Sequence, residues 1–94
     1  MNPVRNTKSW YVYVLQSNHT GRFYTGMTHD LRKRLSQHRQ GNTQSTRHSG
    51  PWNLVYYEMS LAEDDARARE KYLKSGMGKR YVKNRLKRFL FLTG

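Results

Sequence analysis

The sequence contains no cysteine. Disulfides, zinc–thiolate centres and thiol nucleophiles are therefore excluded, and the composition fits a reducing cytosol. Acidic residues are scarce, with 6 Asp and Glu against 18 Lys and Arg, so the formal net charge is +12. Long apolar runs are also missing, and nothing approaches the roughly 20 residues of a membrane span. The first residues, MNPVRNTKS, lack the apolar core of a secretory signal. Asn18-His19-Thr20 matches the glycosylation pattern, which carries no weight without secretion. The expected location is the cytoplasm.

Apolar residues make up only 35% of the chain, and the mean hydropathy is −1.03. Aromatic residues compensate, with seven Tyr and two Trp, which argues against a disordered chain. At 94 residues the length suits one small domain, able to bury roughly 60–65% of its unfolded surface around a modest core. The excess positive charge attracts polyanions. Tyrosines interleaved with Arg and Lys suit a surface for nucleic-acid phosphates and bases, DNA or RNA. The alternative is a solvated basic surface, as on a ribosome-associated protein.

Residues 1–8 are polar and aperiodic and read as a flexible lead-in, with residues 9–92 as a single domain. Trp10 to Leu15 is dense in aromatic and β-branched residues, the composition of a strand. Trp10, Val12 and Val14 would share one face, and Tyr11, Tyr13 and Leu15 the other. Residues 17–21 form a turn cluster, and Arg22 to Met27 returns as a second strand, an antiparallel hairpin with a loop of about five residues. Gly26 is either an ordinary bend or a point where the backbone approaches a phosphate closely.

Thr28 or Asp30 can cap the helix that follows, and Gly41 can end it. Leu31 and Leu35 make its apolar stripe. Arg34 and His38 lie four apart, hence about 40° apart around the axis at the edge of that stripe. Residues 41–51, GNTQSTRHSGP, form a loop carrying Arg47 and His48. Leu54 to Met59 reads as a third strand. Ser60 and Glu63 fit a capping box, with Asp64 and Asp65 reinforcing the helix start. That helix should run to about Lys74, with Leu61, Ala62, Ala66 and Leu73 inward and Glu70 near the same face. Residues 75–78 read as a break, and Lys79 to Phe89 as a last, basic helix, apolar at Val82, Leu86 and Phe89. Phe89 to Leu92 would cover the sheet or make an oligomer contact. The order ββαβαα, without internal repeat or linker, fits an α+β fold with a three-stranded antiparallel sheet and packed helices.

Phosphodiester hydrolysis needs an activated water, charge stabilisation on the phosphate, and usually a metal supporting the leaving oxygen. Glu70, near the inward side of its helix, suits one hard cation such as Mg²⁺. On spacing alone it is better explained as the ion-pair partner of Lys74. Arg34 can fork onto phosphate oxygens or stand solvated beside Arg32 and Lys33. His38 can hold a phosphate or shuttle a proton, or serve the structure. Tyr13 and Tyr24 can order or deprotonate a water, or pack in the sheet. Gly26, Arg47, His48, Lys74, Lys79 and Arg80 are candidate phosphate or nucleic-acid contacts.

These residues occur in the segments YVYVLQS, GRFYTGMT, LRKRLSQH, LVYYE and REKYLKSGMGKR. In order and spacing the segments resemble the GIY-YIG nuclease superfamily over roughly residues 10–88, in particular its short stand-alone bacterial members, relatives of the nuclease domain of the excision-repair incision subunit. Tyr11-Val12-Tyr13 stands where Gly-Ile-Tyr is usual, and Tyr24-Thr25-Gly26 where Tyr-Ile-Gly is usual; both keep the tyrosine. The resemblance implies Tyr13 and Tyr24 as motif tyrosines, Arg34 as catalytic arginine, His38 as helix histidine and Glu70 as ligand of one Mg²⁺ or Mn²⁺. It implies a metal-dependent DNA endonuclease of repair or processing, leaving a 5′-phosphate and a 3′-hydroxyl. A non-catalytic DNA- or RNA-binding module on the same scaffold is the competing expectation. A protein partner or a homodimer stays open. Many family nucleases carry an asparagine after the metal helix, and Asn84 is the sole asparagine in that region.

Overall fold

The computed structural model describes residues 9–43 and 46–93; the expected lead-in, residues 1–8, lies outside them. Strands β1 (Trp10–Ser17) and β2 (Phe23–Thr28) are followed by α1 (Leu31–Arg39), β3 (Trp52–Ser60), α2 (Glu63–Lys74), α3 (Gly76–Arg85) and α4 (Lys87–Thr93). The three strands form an antiparallel sheet in the order β2-β1-β3. The expected α+β architecture is therefore present. β1 is central because its sequence is apolar on both faces: Val12, Tyr13, Val14 and Leu15 are all fully buried.

Strand alternation gives the two faces separate roles. Val12 and Val14 pack with Ala66 and Leu73 of α2 and Val82 of α3, and Trp10, Phe23, Met27 and Tyr56 border that core. Burying each such aliphatic side chain is worth roughly 1.5–3 kcal/mol. The second face carries Tyr11 and Tyr13, which lie opposite Thr28 and Gly26 of β2. Tyr13 also lies opposite Tyr57 of β3. Helix α1 and the loop preceding β3 reach this face through His38 and Thr46.

Asp30 caps α1, its carboxylate accepting from Lys33 N at 3.1 Å, while Thr28 Oγ1 accepts from Asp30 N. The helix ends at Gln40, and Gly41 follows at φ 74°, the left-handed position that stops a helix. β3 begins at Trp52, two residues before the expected Leu54. Ser60 stays in β3 and makes no cap; Ala62 occupies the α2 N-cap without a side-chain bond, and Leu61 and Ala62 are exposed rather than inward. The acidic first turn, Glu63, Asp64 and Asp65, takes the place of the expected capping box.

The stretch 75–78 is a corner between two helices, and α3 starts within it. Ser75 Oγ accepts from Gly78 N at 3.1 Å and donates to Tyr72 O. A side chain on Gly78 would overlap the backbone of Tyr72 and Leu73. Serine as cap and glycine as contact point thus let α3 fold back on α2; the expected break is confined to Ser75, and the helix expected from Lys79 already starts at Gly76. The last helix is also divided: Leu86 closes α3 by donating its N–H to Val82 O, and α4 begins at Lys87. The order is ββαβααα. In α4, Leu90 is half-buried while Phe91 and Leu92 point outward. Among the described residues, no helix is long and apolar enough to cross a membrane.

Candidate active site

Gly26 sets the position of Tyr13. The two are partners in the β1–β2 ladder, and the Tyr13 ring lies across the bare glycine backbone. This carries the phenol hydroxyl over β2, where α1 supplies its partners. Tyr13 Oη lies 3.0 Å from His38 Nε2 and accepts from Arg34 Nε at 3.4 Å. Arg34 and His38 reach the same hydroxyl because they lie one helical turn apart. Tyr24 packs edge-on against His38, with ring centroids 5.3 Å apart, and against Trp52 at 6.3 Å. Arg34 NH1 donates to Gln37 Oε1 at 3.0 Å, which holds the guanidinium.

The electrostatics follow from burial beside a cation. Burial raises the Tyr13 pKa above its ordinary value; the Arg34 hydrogen bond and charge oppose the rise, and the charges of Tyr24 and Glu70 add to it. Burial, and then the Arg34 charge, lower the His38 pKa to about 4, so the imidazole is neutral at physiological pH. The Tyr13 hydrogen bond, more than any other contact, holds the Arg34 guanidinium above its ordinary value.

Glu70 comes from the other side of the sheet. Ala66 and Leu73 form the buried stripe of α2, and Arg69 and Glu70 flank it about 50° to either side. Arg69 reaches β3, where it forks onto Glu58 at 2.6 and 3.0 Å. Glu70 therefore faces the β2 side, and its charge is felt at Tyr13. Its side chain is 21% exposed and pairs with Lys74 Nζ at 3.2 Å.

The remaining sequence candidates are dispersed. Arg47 and His48 are exposed and bonded to each other, Nε to Nε2 at 3.2 Å. Lys79 joins Arg22 and Lys83 around a basic cleft of about 300 Å³ beside Phe23. Arg80 and Asn84 are exposed on α3. A cleft of about 330 Å³ opens beside Arg34 between Trp10, Met27, Lys33 and Gln37. A larger one, about 640 Å³, lies across α1 between Tyr11, Tyr57, Arg32 and Arg39.

Sequence reasoning missed Thr46 and Trp52. Thr46 is fully buried, with Oγ1 2.7 Å from His38 Nδ1. Trp52 Nε1 donates to Thr46 O at 2.7 Å. A polar loop with a tryptophan at its exit was the available signal.

The family model of the GIY-YIG catalytic domain matches residues 9–87. The chain belongs to the GIY-YIG family. Among its relatives, a UPF0213 protein of Clostridium perfringens is 40% identical over 65 residues, covering 68% of this chain and 69% of that protein. A UPF0213 protein of Streptococcus pyogenes serotype M5 is 39% identical over 69 residues, covering 72% and 74%. The solution NMR structure of a UPF0213 protein from Bacillus halodurans superposes with a TM-score of 0.51 at 31% identity, covering 79% of this chain and 81% of that one. The GIY-YIG domain puts this chain in a nuclease superfamily whose members act on nucleic acid and typically use a divalent metal. The UPF0213 names assign no activity.

Proposed function

We propose that this GIY-YIG protein is a metal-dependent endonuclease hydrolysing DNA phosphodiester bonds, in DNA repair or processing. The convergence of Arg34 and His38 on the Tyr13 hydroxyl, within the field of Glu70, carries the reading. Residues 9–92 act as one catalytic domain in this reading.

The residues fit a single hard cation. Among the described residues no group of three or more His, Asp or Glu side chains is placed to hold a metal ion, and Glu70 is the carboxylate that this reading assigns to it. Mg²⁺ keeps several waters and takes one or two carboxylates plus substrate phosphate, a need this donor set can meet. When bound, Mg²⁺ or Mn²⁺ supplies neutralising charge at the phosphate and its leaving oxygen.

The protein's own groups do the rest. Tyr13 Oη orients the attacking water and, once its own hydroxyl proton has passed to solvent, accepts a proton from that water as the phenolate. Arg34 stabilises the charge accumulating on phosphate oxygens. Tyr24 packs His38 in place. Water oxygen bonds to phosphorus as the bond to the 3′ oxygen breaks, and the departing 3′ alkoxide takes a proton from solvent, giving a 5′-phosphate and a 3′-hydroxyl. Lys74, Lys79, Arg80, Arg47 and His48 offer contacts along the nucleic-acid backbone, whereas Gly26, expected among them, is buried beneath the Tyr13 ring.

The Glu70–Lys74 ion pair favours the second reading, a non-catalytic nucleic-acid-binding module, because it gives Glu70 a role without metal. Labelled duplex, nicked, flapped, branched and RNA substrates incubated with Mg²⁺, Mn²⁺ or EDTA separate the two. Metal-dependent products lost in Glu70→Ala and Arg34→Ala proteins support the endonuclease. Salt-sensitive binding without cleavage in any lane supports the module.

A further inference from the structure

We propose that Thr46 is a positioning residue: its hydroxyl hydrogen holds His38 as the Nε2–H tautomer, so that the neutral imidazole donates a hydrogen bond to Tyr13. Three buried groups form one chain, Tyr13 Oη to His38 Nε2 at 3.0 Å and His38 Nδ1 to Thr46 Oγ1 at 2.7 Å. Tyr13, neutral His38 and Thr46 carry one such proton each, so three protons serve two links, and one must be left over.

The surroundings decide which. If Nδ1 carried the hydrogen, the spare proton would sit on Thr46, which is 1% exposed and whose Oγ1 bonds to His38. Tyr13 is equally buried, also 1% exposed, so burial alone does not choose between the two ends; the choice falls to the end that meets the substrate water. If Thr46 donates to Nδ1, the spare proton sits on Tyr13 instead. That is the end of the chain at which the proposed reaction binds a water. Removal of that proton then leaves two protons for two links, with Arg34 Nε as a second donor to the phenolate beside His38 Nε2. A histidine with pKa lowered to about 4 is a poor proton acceptor and a suitable neutral donor.

Thr46 can hold this position because its loop is braced. Trp52 Nε1 donates to its carbonyl at 2.7 Å, and its N–H donates to Thr43 O at 3.1 Å. Ser17 Oγ donates to Ser49 O at 2.6 Å, and Asn18 N to Pro51 O at 2.9 Å, which tie the loop to the β1–β2 turn. The loop thus reaches the Tyr13 hydroxyl through its buried threonine, while Arg47 and His48 stay exposed.

The choice of tautomer and its catalytic consequence both rest on the endonuclease reading, whereas the NMR pattern is read without any cleavage. The test is long-range ¹H–¹⁵N NMR of the ¹⁵N-histidine-labelled full chain, with His38 assigned by a His38→Gln spectrum. The expected result is the Nε2–H pattern for His38, a mixture with Nδ1–H in Thr46→Ala, and restoration in Thr46→Ser. An Nδ1–H pattern in the unmodified protein, or an unchanged one in Thr46→Ala, overturns the proposal. Cleavage kinetics add a second readout: kcat falls by up to about 10²-fold in Thr46→Ala with KM unchanged, and Thr46→Ser recovers it. An unmodified protein that cleaves nothing while showing the Nε2–H pattern overturns the endonuclease reading and leaves the Thr46 assignment standing.

Discussion

Gly26 lies directly opposite Tyr13, and any side-chain carbon on Gly26 would collide with the Tyr13 hydroxyl. The glycine of the second triplet is thereby tied to the tyrosine of the first by contact, independently of its backbone freedom. Gly26→Ala must push the ring away from His38 and Arg34. The expected destabilisation is about 1–3 kcal/mol, the range for overpacking a tight site. Cleavage should fall by about 10²-fold, as expected for misplacement near 1 Å. Thermal melts with cleavage assays check both; a variant as active as the unmodified protein would falsify the role given to the contact.

His38 gives stability a pH signature. Its folded pKa is lowered from 6.5 to about 4, so between those values the unfolded chain binds a proton that the folded chain does not. Stability contributed by the neutral buried ring is present above about 6.5 and is lost as pH falls toward 4. The Tm should decline across that window, and His38→Gln should flatten the decline. Melts at closely spaced pH values, with and without the substitution, measure it.

How much of this was legible depends on the range of the contact concerned. The alternation in Trp10 to Leu15 sets its own faces, and the pairing of Arg34 with His38 needs only one helical turn, so local periodicity suffices for both. The stretch 75–78 signals a break through its serine and two glycines, but the break is only Ser75 long. The use of Gly78 depends on where the Tyr72–Leu73 backbone passes, which no local pattern records. Thr46 is harder still. It is one of several Thr and Ser residues in a polar loop, and its partner lies eight residues away on another element. Arg69 shows the same limit: its neighbour Glu70 drew attention, while its fork onto Glu58 and its position over the Tyr72 and Tyr81 rings at 5.1 and 5.4 Å are tertiary.

Substrate electrostatics can be localised. Arg22, Lys79 and Lys83 surround one cleft beside the hairpin turn. If duplex DNA lies there, replacing all three with alanine should reduce the slope of log K against log salt by up to about 2.7, which is about 0.9 for each phosphate no longer neutralised. Fluorescence anisotropy from low to moderate salt gives both slopes. Equal slopes would move the duplex path elsewhere, the Arg32 and Arg39 side of α1 being the next surface to test.

Lys74 competes for the group that is to hold the cation. Its ammonium lies 3.2 Å from Glu70 Oε2, and a half-exposed pair of this kind is worth only about 0.3–0.5 kcal/mol. A divalent ion must displace that contact to bind the carboxylate. Lys74→Ala should therefore lower the half-saturating Mg²⁺ or Mn²⁺ concentration about twofold, the Boltzmann equivalent of that energy. At saturating metal the same variant should bind DNA more weakly if the freed ammonium normally turns to a phosphate. Metal titrations of cleavage, read beside DNA affinity at fixed metal, distinguish the two effects. A half-saturating concentration unchanged by Lys74→Ala but abolished as a measurable quantity by Glu70→Ala would mean that the ion pair opens at no cost and that Lys74 serves the nucleic acid alone.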